Sequence, residues 1–185
     1  MPHVIVIGDG PGGLSAALFL AKNNLEVVVY GQDKTAMNWA LVRNYLGISE
    51  ITGTEFQKVA RAQVAGFGVT VHDETVETIA AAPGGYRVTL AGGAHVTAKY
   101  LVLSEGKAPK LALQLGLVFD DKTGIANDKH AKSQLDGVYV VGRSSRPGRS
   151  QAIISAGDGA AAAIDILSRE KGDDVVDWDS PPKAD

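Results

Sequence analysis

The chain has 185 residues, 45% of them hydrophobic, enough for one domain with a proper core and too few for two of ordinary size. A formal net charge of −3 and a pI of about 5.8 create no field that favours nucleic acid or an anionic membrane surface. There is no cysteine, which excludes structural disulfides, thiolate metal sites, iron–sulfur clusters and a dithiol relay through these residues.

The N-terminus, MPHVIVIG, enters a strand almost at once and lacks the basic flank and cleavage site of a signal peptide. Apolar runs such as LSAALFLA fall far short of the roughly 20 residues that a membrane helix needs, so a cytoplasmic protein without a membrane partner is expected. HVIVI reads as a buried strand, GDGPGG as a glycine turn, LSAALFLAKNN as an Ala/Leu-rich helix and LEVVVY as a second buried strand, together a βαβ unit. Val/Ile strands that are apolar on both faces suit the middle of a parallel sheet. Residues 53–65 show helical periodicity, with Phe56, Val59, Ala60 and Val64 along one side, before the short strand VTVH. ETVETIAA, GYRVTLAG and AHVTAKY then alternate in the manner of strands and are separated by Pro83-Gly84-Gly85 and Gly92-Gly93, the pattern of a three-stranded antiparallel meander. LVLSEG and GVYVVG return to the buried parallel type, and an Ala/Ile helix is expected over roughly residues 151–168. The expected organisation is one α/β domain over residues 1–170, a Rossmann-like parallel sheet with an inserted meander. Residues 171–185 form an acidic, mostly loose tail in which Trp178 is the candidate dock.

Gly8, Gly10 and Gly13 fit G-x-G-x-x-G directly after a strand and at the start of a helix. The first glycine allows the tight turn, the second lets backbone approach a pyrophosphate, and the third lets the helix pack close to the strand. The helix N-terminus, which opens at Pro11 and Gly12, supplies free N–H groups from Gly12 onward and a positive dipole end. An acid is expected about 20 residues further on, at the end of the second strand, to hold ribose hydroxyls. Tyr30 and Gly31 occupy that tip here, and Asp33 lies slightly beyond it, as either a ribose ligand or an ordinary turn residue.

From His3 to about Arg169 these motifs resemble the FAD-binding domain of the low-molecular-weight thioredoxin reductases, within the pyridine nucleotide-disulfide oxidoreductase superfamily. VIVIGDGPGGLSAALFLAKNNLEVVVYG is similar to the family's opening, and NYLGISEITGTEFQKVARAQVAGFGVTV to its Asn-aromatic-Pro-Gly segment and following helix. YLVLSEG stands where the family has a strand ending in Ala-Thr-Gly. GVYVVGR stands where it has Gly-Asp, and SQAIISAGDGAAAAIDIL where it has a closing Gln-Ala helix. The resemblance implies FAD as cofactor. Gly106 and Gly142 would be at the strand ends, Asn44 beside the flavin, and Thr75 and Val76 against adenine. Gln151 and Ala152 would start a helix aimed at the flavin's pyrimidine edge. Asn44 reads equally as a turn residue before Gly47.

Two departures matter. Two-domain members insert an NADPH-binding domain with a redox Cys-x-x-Cys between the Ala-Thr-Gly and Gly-Asp strands; here residues 107–136 are all that separate Gly106 from Gly137. The reading is therefore a single-domain flavoprotein, an FAD-dependent oxidoreductase rather than a dithiol thioredoxin reductase. Its electrons would come from an external donor, NAD(P)H or a redox protein. Arg143 replaces the aspartate that accepts a hydrogen bond from the ribityl chain; it can only donate, and would instead bind pyrophosphate. The competing reading is a nucleotide- or partner-binding module that has lost flavin, and NAD in place of FAD is a third. Arg143, Arg146 and Arg149, with Lys107 and Lys110 on another sheet-end loop, read as a landing site for an anionic substrate or acidic redox partner or as a solvated loop, and Trp39 as a flavin cover or a core or hinge residue. The Ala-rich final helix could pair two copies in a homodimer or serve as an internal face. The four histidines lack metal spacing.

Overall fold

The computed structural model describes residues 2–181. Val4–Ile7 (β1) is buried along its whole length and leads through the glycine turn into Pro11–Lys22 (α1). Proline suits that first helical position, where no N–H is needed and φ is already helical. Val27–Tyr30 (β2) follows, then a 3₁₀ turn over Ala36–Trp39 whose first N–H groups are served by Thr35: its hydroxyl accepts from the Met37 N–H at 3.3 Å. Leu41–Val42 (β3) and Ile51–Thr52 (β4) pair as a short antiparallel ribbon, and the Thr52 hydroxyl caps Gly53–Gly66 (α2) by accepting from the Glu55 N–H at 3.3 Å. The chain continues through Val71–His72 (β5) and the meander Val76–Ala82 (β6), Gly85–Leu90 (β7) and His95–Ala98 (β8). Tyr100–Leu103 (β9), Lys110–Gln114 (α3), Phe119–Asp120 (β10), Gly124–Ile125 (β11), Val138–Val140 (β12) and Ala152–Lys171 (α4) complete it.

The main sheet runs β12-β9-β1-β2-β5 and is parallel throughout, with Val4 level with both Val27 and Tyr100. Both faces of β1 are covered, which is why its sequence does not alternate with polar residues. Val4 and Val6 enter a core with Leu14, Leu20, Ala162 and Ile166 from α1 and α4. Ile5 and Ile7 point the other way, into a core with Val88 and Leu90 of the meander and Leu111 of α3. Each fully buried Val, Ile or Leu contributes about 1.5–3 kcal/mol relative to exposure.

α1 and α4 approach through small residues. Ala16, Ala17, Ala162 and Ala163 are all fully buried, so the Ala stripe of the last helix is an internal packing face. A Cβ on Gly159 would overlap the carbonyl oxygen of Gly12 and lie 3.0 Å from the Ala16 nitrogen. α2 departs from its expected face: Val64 is buried, but Val59 is 52% exposed and the polar Gln57 is 1% exposed. The reason is α2's position beside the glycine turn, where the Gln57 amide donates to the Asp9 carbonyl at 2.8 Å.

Gly172, with φ +75°, ends α4 in the left-handed conformation that glycine adopts without penalty. Beyond it, the Ser168 hydroxyl accepts from the Val175 N–H at 3.0 Å, and Lys22 pairs with Asp177 at 2.7 Å and Asp179 at 2.6 Å. Trp178 points to solvent at 82% exposure, and residues 182–185 of the expected tail lie outside the described residues. Among the described residues no helix is long and apolar enough to cross a membrane.

Candidate functional site: a cavity over the carboxyl ends of the strands

The carboxyl ends of the parallel strands open on one cavity of about 970 Å³, the place where open α/β sheets take ligands. Its floor is the glycine turn. Gly8 has φ +99°, its N–H donates to the Tyr30 carbonyl at 2.8 Å, and a Cβ there would drive into the backbone carbonyl of Ser104 on the neighbouring strand. Gly10 is the N-cap of α1 and offers no side chain to its N–H groups, so Pro11 and Gly12 begin the helix facing the cavity. A Cβ on Gly12 would lie 3.0 Å from Val141 Cγ2 and 3.1 Å from the Ser155 carbonyl. Gly13 is outside the wall: a Cβ there would clash with the Gly8 carbonyl, so its task is the close approach of helix to strand.

At the end of β2, Tyr30 is buried and stacked on His72 with ring centroids 5.4 Å apart. Burial raises its hydroxyl pKa, and the charge of Glu74 adds to the rise. Gly31 lines the cavity, but Asp33 does not. Asp33 sits at φ +54°, with its N–H on Asp9 Oδ2 at 3.0 Å and its carboxylate accepting from the Asn38 amide at 3.3 Å. Thr75 and Val76 line the far side, where the Thr75 hydroxyl accepts from Gln32 Nε2 at 2.6 Å and Lys34 Nζ donates to Gln32 Oε1 at 3.1 Å.

The other end joins two candidates 107 residues apart: the Asn44 amide donates to Gln151 Oε1 at 2.9 Å. Gln151 is the N-cap of α4 and makes no side-chain cap bond, so this helix also presents unserved N–H groups from Ala152 onward. Gly142 turns at φ +70° and Gly106 at φ +78°, and the Ser144 hydroxyl donates to the Gly106 carbonyl at 2.9 Å, tying the two strand-end loops together. Arg143 lines the cavity with its residue exposed. Arg146 does not join it: its guanidinium grips the Asp158 carboxylate at 3.0–3.1 Å, and Arg149 is outside the wall. Trp39 is on the rim at 85% exposure, not in the core.

All the candidate cofactor-binding residues except Gly13 and Asp33 therefore share one wall, while Arg146 and Arg149 of the basic cluster do not. Lys107 and Lys110, the cations expected on another sheet-end loop, line it too, whereas sequence reasoning missed Asp9, Lys34, Ser104 and Glu105, which line it as well. Glu105 accepts from the N–H groups of Leu111 at 2.7 Å and Ala112 at 2.9 Å, serving the start of α3. Burial pushes its pKa up, and those two donors offset part of the rise. Only Asp9 and Glu105 had a readable signal, as acids inside motifs where the resemblance has none. Two uncapped helix N-termini with Arg143, Lys107 and Lys110 make the cavity suited to a long ligand carrying negative charge.

Comparison with known proteins agrees with this geometry. The family profile described as Pyridine nucleotide-disulphide oxidoreductase matches residues 2–49 and 43–159. The chain is 29% identical over 173 residues to the bifunctional thioredoxin reductase/thioredoxin of Mycobacterium leprae, covering 90% of this chain and 35% of that protein. It is 28% identical over 184 residues to the thioredoxin reductase of Schizosaccharomyces pombe, covering 90% of this chain and 53% of that protein. The chain thus spans about a third to a half of the length of these relatives. The crystal structure of the atypical thioredoxin reductase TRi from Desulfovibrio vulgaris Hildenborough shares the fold, with a TM-score of 0.81 at 17% identity over 93% of this chain and 99% of that one. With a family profile covering most of its residues, the chain belongs to the pyridine nucleotide-disulphide oxidoreductase family.

Proposed function

We propose that this chain binds FAD in the strand-end cavity and serves as a redox flavoprotein domain that draws electrons from an external donor. The observation that carries the reading is one cavity of about 970 Å³ onto which two helix N-termini open without side-chain caps, with a glycine turn as its floor. The donor set fits the cofactor: N–H groups and Arg143 can only donate, and a pyrophosphate can only accept. The glycine turn fits as a floor that packs tightly on its neighbours, since a side chain at Gly8 would meet the Ser104 backbone and one at Gly12 would meet Val141 and the Ser155 carbonyl.

Gly10, Pro11 and Gly12 would hold the pyrophosphate, with Arg143 as a second, cationic contact in place of an acceptor. Thr75 and Val76 would meet the adenine. Asn44, fixed by Gln151, and the first N–H groups of α4 would orient the ring and favour negative charge at its edge. Bound FAD supplies the electron chemistry; the protein binds, orients and tunes it. The segment between β9 and β12 holds only α3 and the β10–β11 ribbon, and the chain has no cysteine. We therefore read it as a domain that takes electrons from NAD(P)H or a redox protein and does not itself pass them through a dithiol.

The visible absorption spectrum of the purified protein, recorded before and after adding FAD and removing the excess, tests this. Flavin bands that stay with the protein are expected. If neither sample shows bands, the flavin reading fails and the chain is a binding scaffold, the reading that Arg143 favours.

A further inference from the structure

We infer that Asp9, inside the glycine turn, is the acceptor for the adenosine ribose hydroxyls of the bound nucleotide, replacing a carboxylate at the end of β2; the inference rests on the nucleotide-binding reading above. A dinucleotide fold of this type needs an acid near the tip of β2. That tip is Gly31 here and has no side chain to give. The structure fills the gap from the neighbouring strand. A Cβ built on Gly31 would overlap the Asp9 side chain and lie 2.7 Å from its Oδ1. The Asp9 carboxylate therefore occupies the space that the first atoms of a residue-31 side chain would take.

Its surroundings aim it. Asp9 is 4% exposed yet forms part of the cavity wall. Oδ2 is engaged twice, by an ion pair with Arg61 of α2 and by the Asp33 N–H at 3.0 Å. Gln57 clamps the Asp9 backbone from the same helix, through its carbonyl at 2.8 Å. Among the described residues no donor is assigned to Oδ1, so one carboxylate oxygen remains to accept.

The ion pair also settles an electrostatic difficulty. A bare carboxylate beside the Gly10 and Gly12 N–H groups would repel the pyrophosphate bound there. Arg61 neutralises it, so the turn keeps its preference for anions while Oδ1 keeps its ability to accept. The other acids of the region are placed differently. Asp33 is committed to Asn38 and outside the wall, while Glu74 lines the cavity from beyond β5 with its side chain 57% exposed.

The test is a titration of apo-protein with FAD and with FAD analogues lacking the 2′- or the 3′-hydroxyl of the adenosine ribose, followed by flavin fluorescence. Loss of a hydrogen bond to a charged acceptor corresponds to roughly ten- to a hundred-fold in affinity. Wild-type protein is expected to bind at least one deoxy analogue about tenfold or more weakly than FAD, and Asp9→Asn to lose most of that ratio. A merely structural Asp9 would change overall affinity and leave the ratio alone. Equal binding of all three compounds by wild-type protein overturns the inference and leaves the cofactor reading standing. Discrimination that survives in Asp9→Asn overturns it too. Failure of FAD itself to bind overturns both. The wild-type series decides the matter even if the variant does not fold.

Discussion

Replacing Gly159 with alanine offers a direct test of how α1 and α4 hold the site, because two opposing effects can be weighed. Alanine in place of glycine within a helix is favourable by about 1 kcal/mol. At position 157 of the same helix a Cβ would meet nothing within 4 Å, so Gly157→Ala should gain most of that amount. At position 159 the new methyl would overlap the Gly12 carbonyl and come within 3.0 Å of the Ala16 nitrogen. Comfortable separation is about 3.5 Å or more, and the obstacles are backbone atoms that no rotamer change can clear. α4 must retreat from α1, and overpacking of this kind costs about 1–3 kcal/mol. The propensity gain is common to both variants, so they should differ by the overpacking cost, about 1–3 kcal/mol, with Gly159→Ala the less stable and Gly157→Ala above wild type. For a chain of this size that is roughly 2–12 °C in Tm. Urea denaturation followed by circular dichroism measures it. A Gly159→Ala protein as stable as Gly157→Ala would refute the close α1–α4 contact and, with it, the placement of the α4 N-terminus against the glycine turn.

Two further outcomes follow from the cavity. Burial raises the Glu105 pKa above its ordinary 4.5, so the folded chain holds that proton more tightly than the unfolded one. Stability linked to Glu105 is therefore present below about 4.5 and falls as pH rises through the raised folded value. Glu105→Gln should remove that component, giving a flatter stability–pH curve in urea unfolding above this point; parallel curves for the two proteins would contradict it. Arg143→Ala should weaken FAD binding by roughly ten- to a hundred-fold and reduce its salt dependence, as loss of a charged hydrogen bond predicts. Unchanged affinity at low and high salt would remove Arg143 from the pyrophosphate contact.

The parallel strands were legible because both of their faces are buried: a run such as VIVI has no other place in a soluble fold. The meander was legible from alternation and its glycine-rich turns, and the glycine turn from its setting between strand and helix. The short β3, β4, α3, β10 and β11 were not, since they form through their tertiary neighbours and carry no period of their own; strands as short as β5 were legible only through a β-branched apolar run such as VTVH. The same limit misled the reading of α2, where apolar periodicity pointed to Val59 while the buried face is organised around Gln57 and its bond to the glycine turn.

The site divides along that line. Spacing within a single turn, Gly8 to Gly13, is a local property, and the chain alone determines it. Which strand ends become neighbours is not local. The pairing of Asn44 with Gln151, the capture of Arg146 by Asp158 and the entry of Asp9 into the space above Gly31 each join residues from separate elements. Local propensity carries no information about such contacts; only the order of strands in the sheet, and the helices packed against it, bring those side chains within reach of one another.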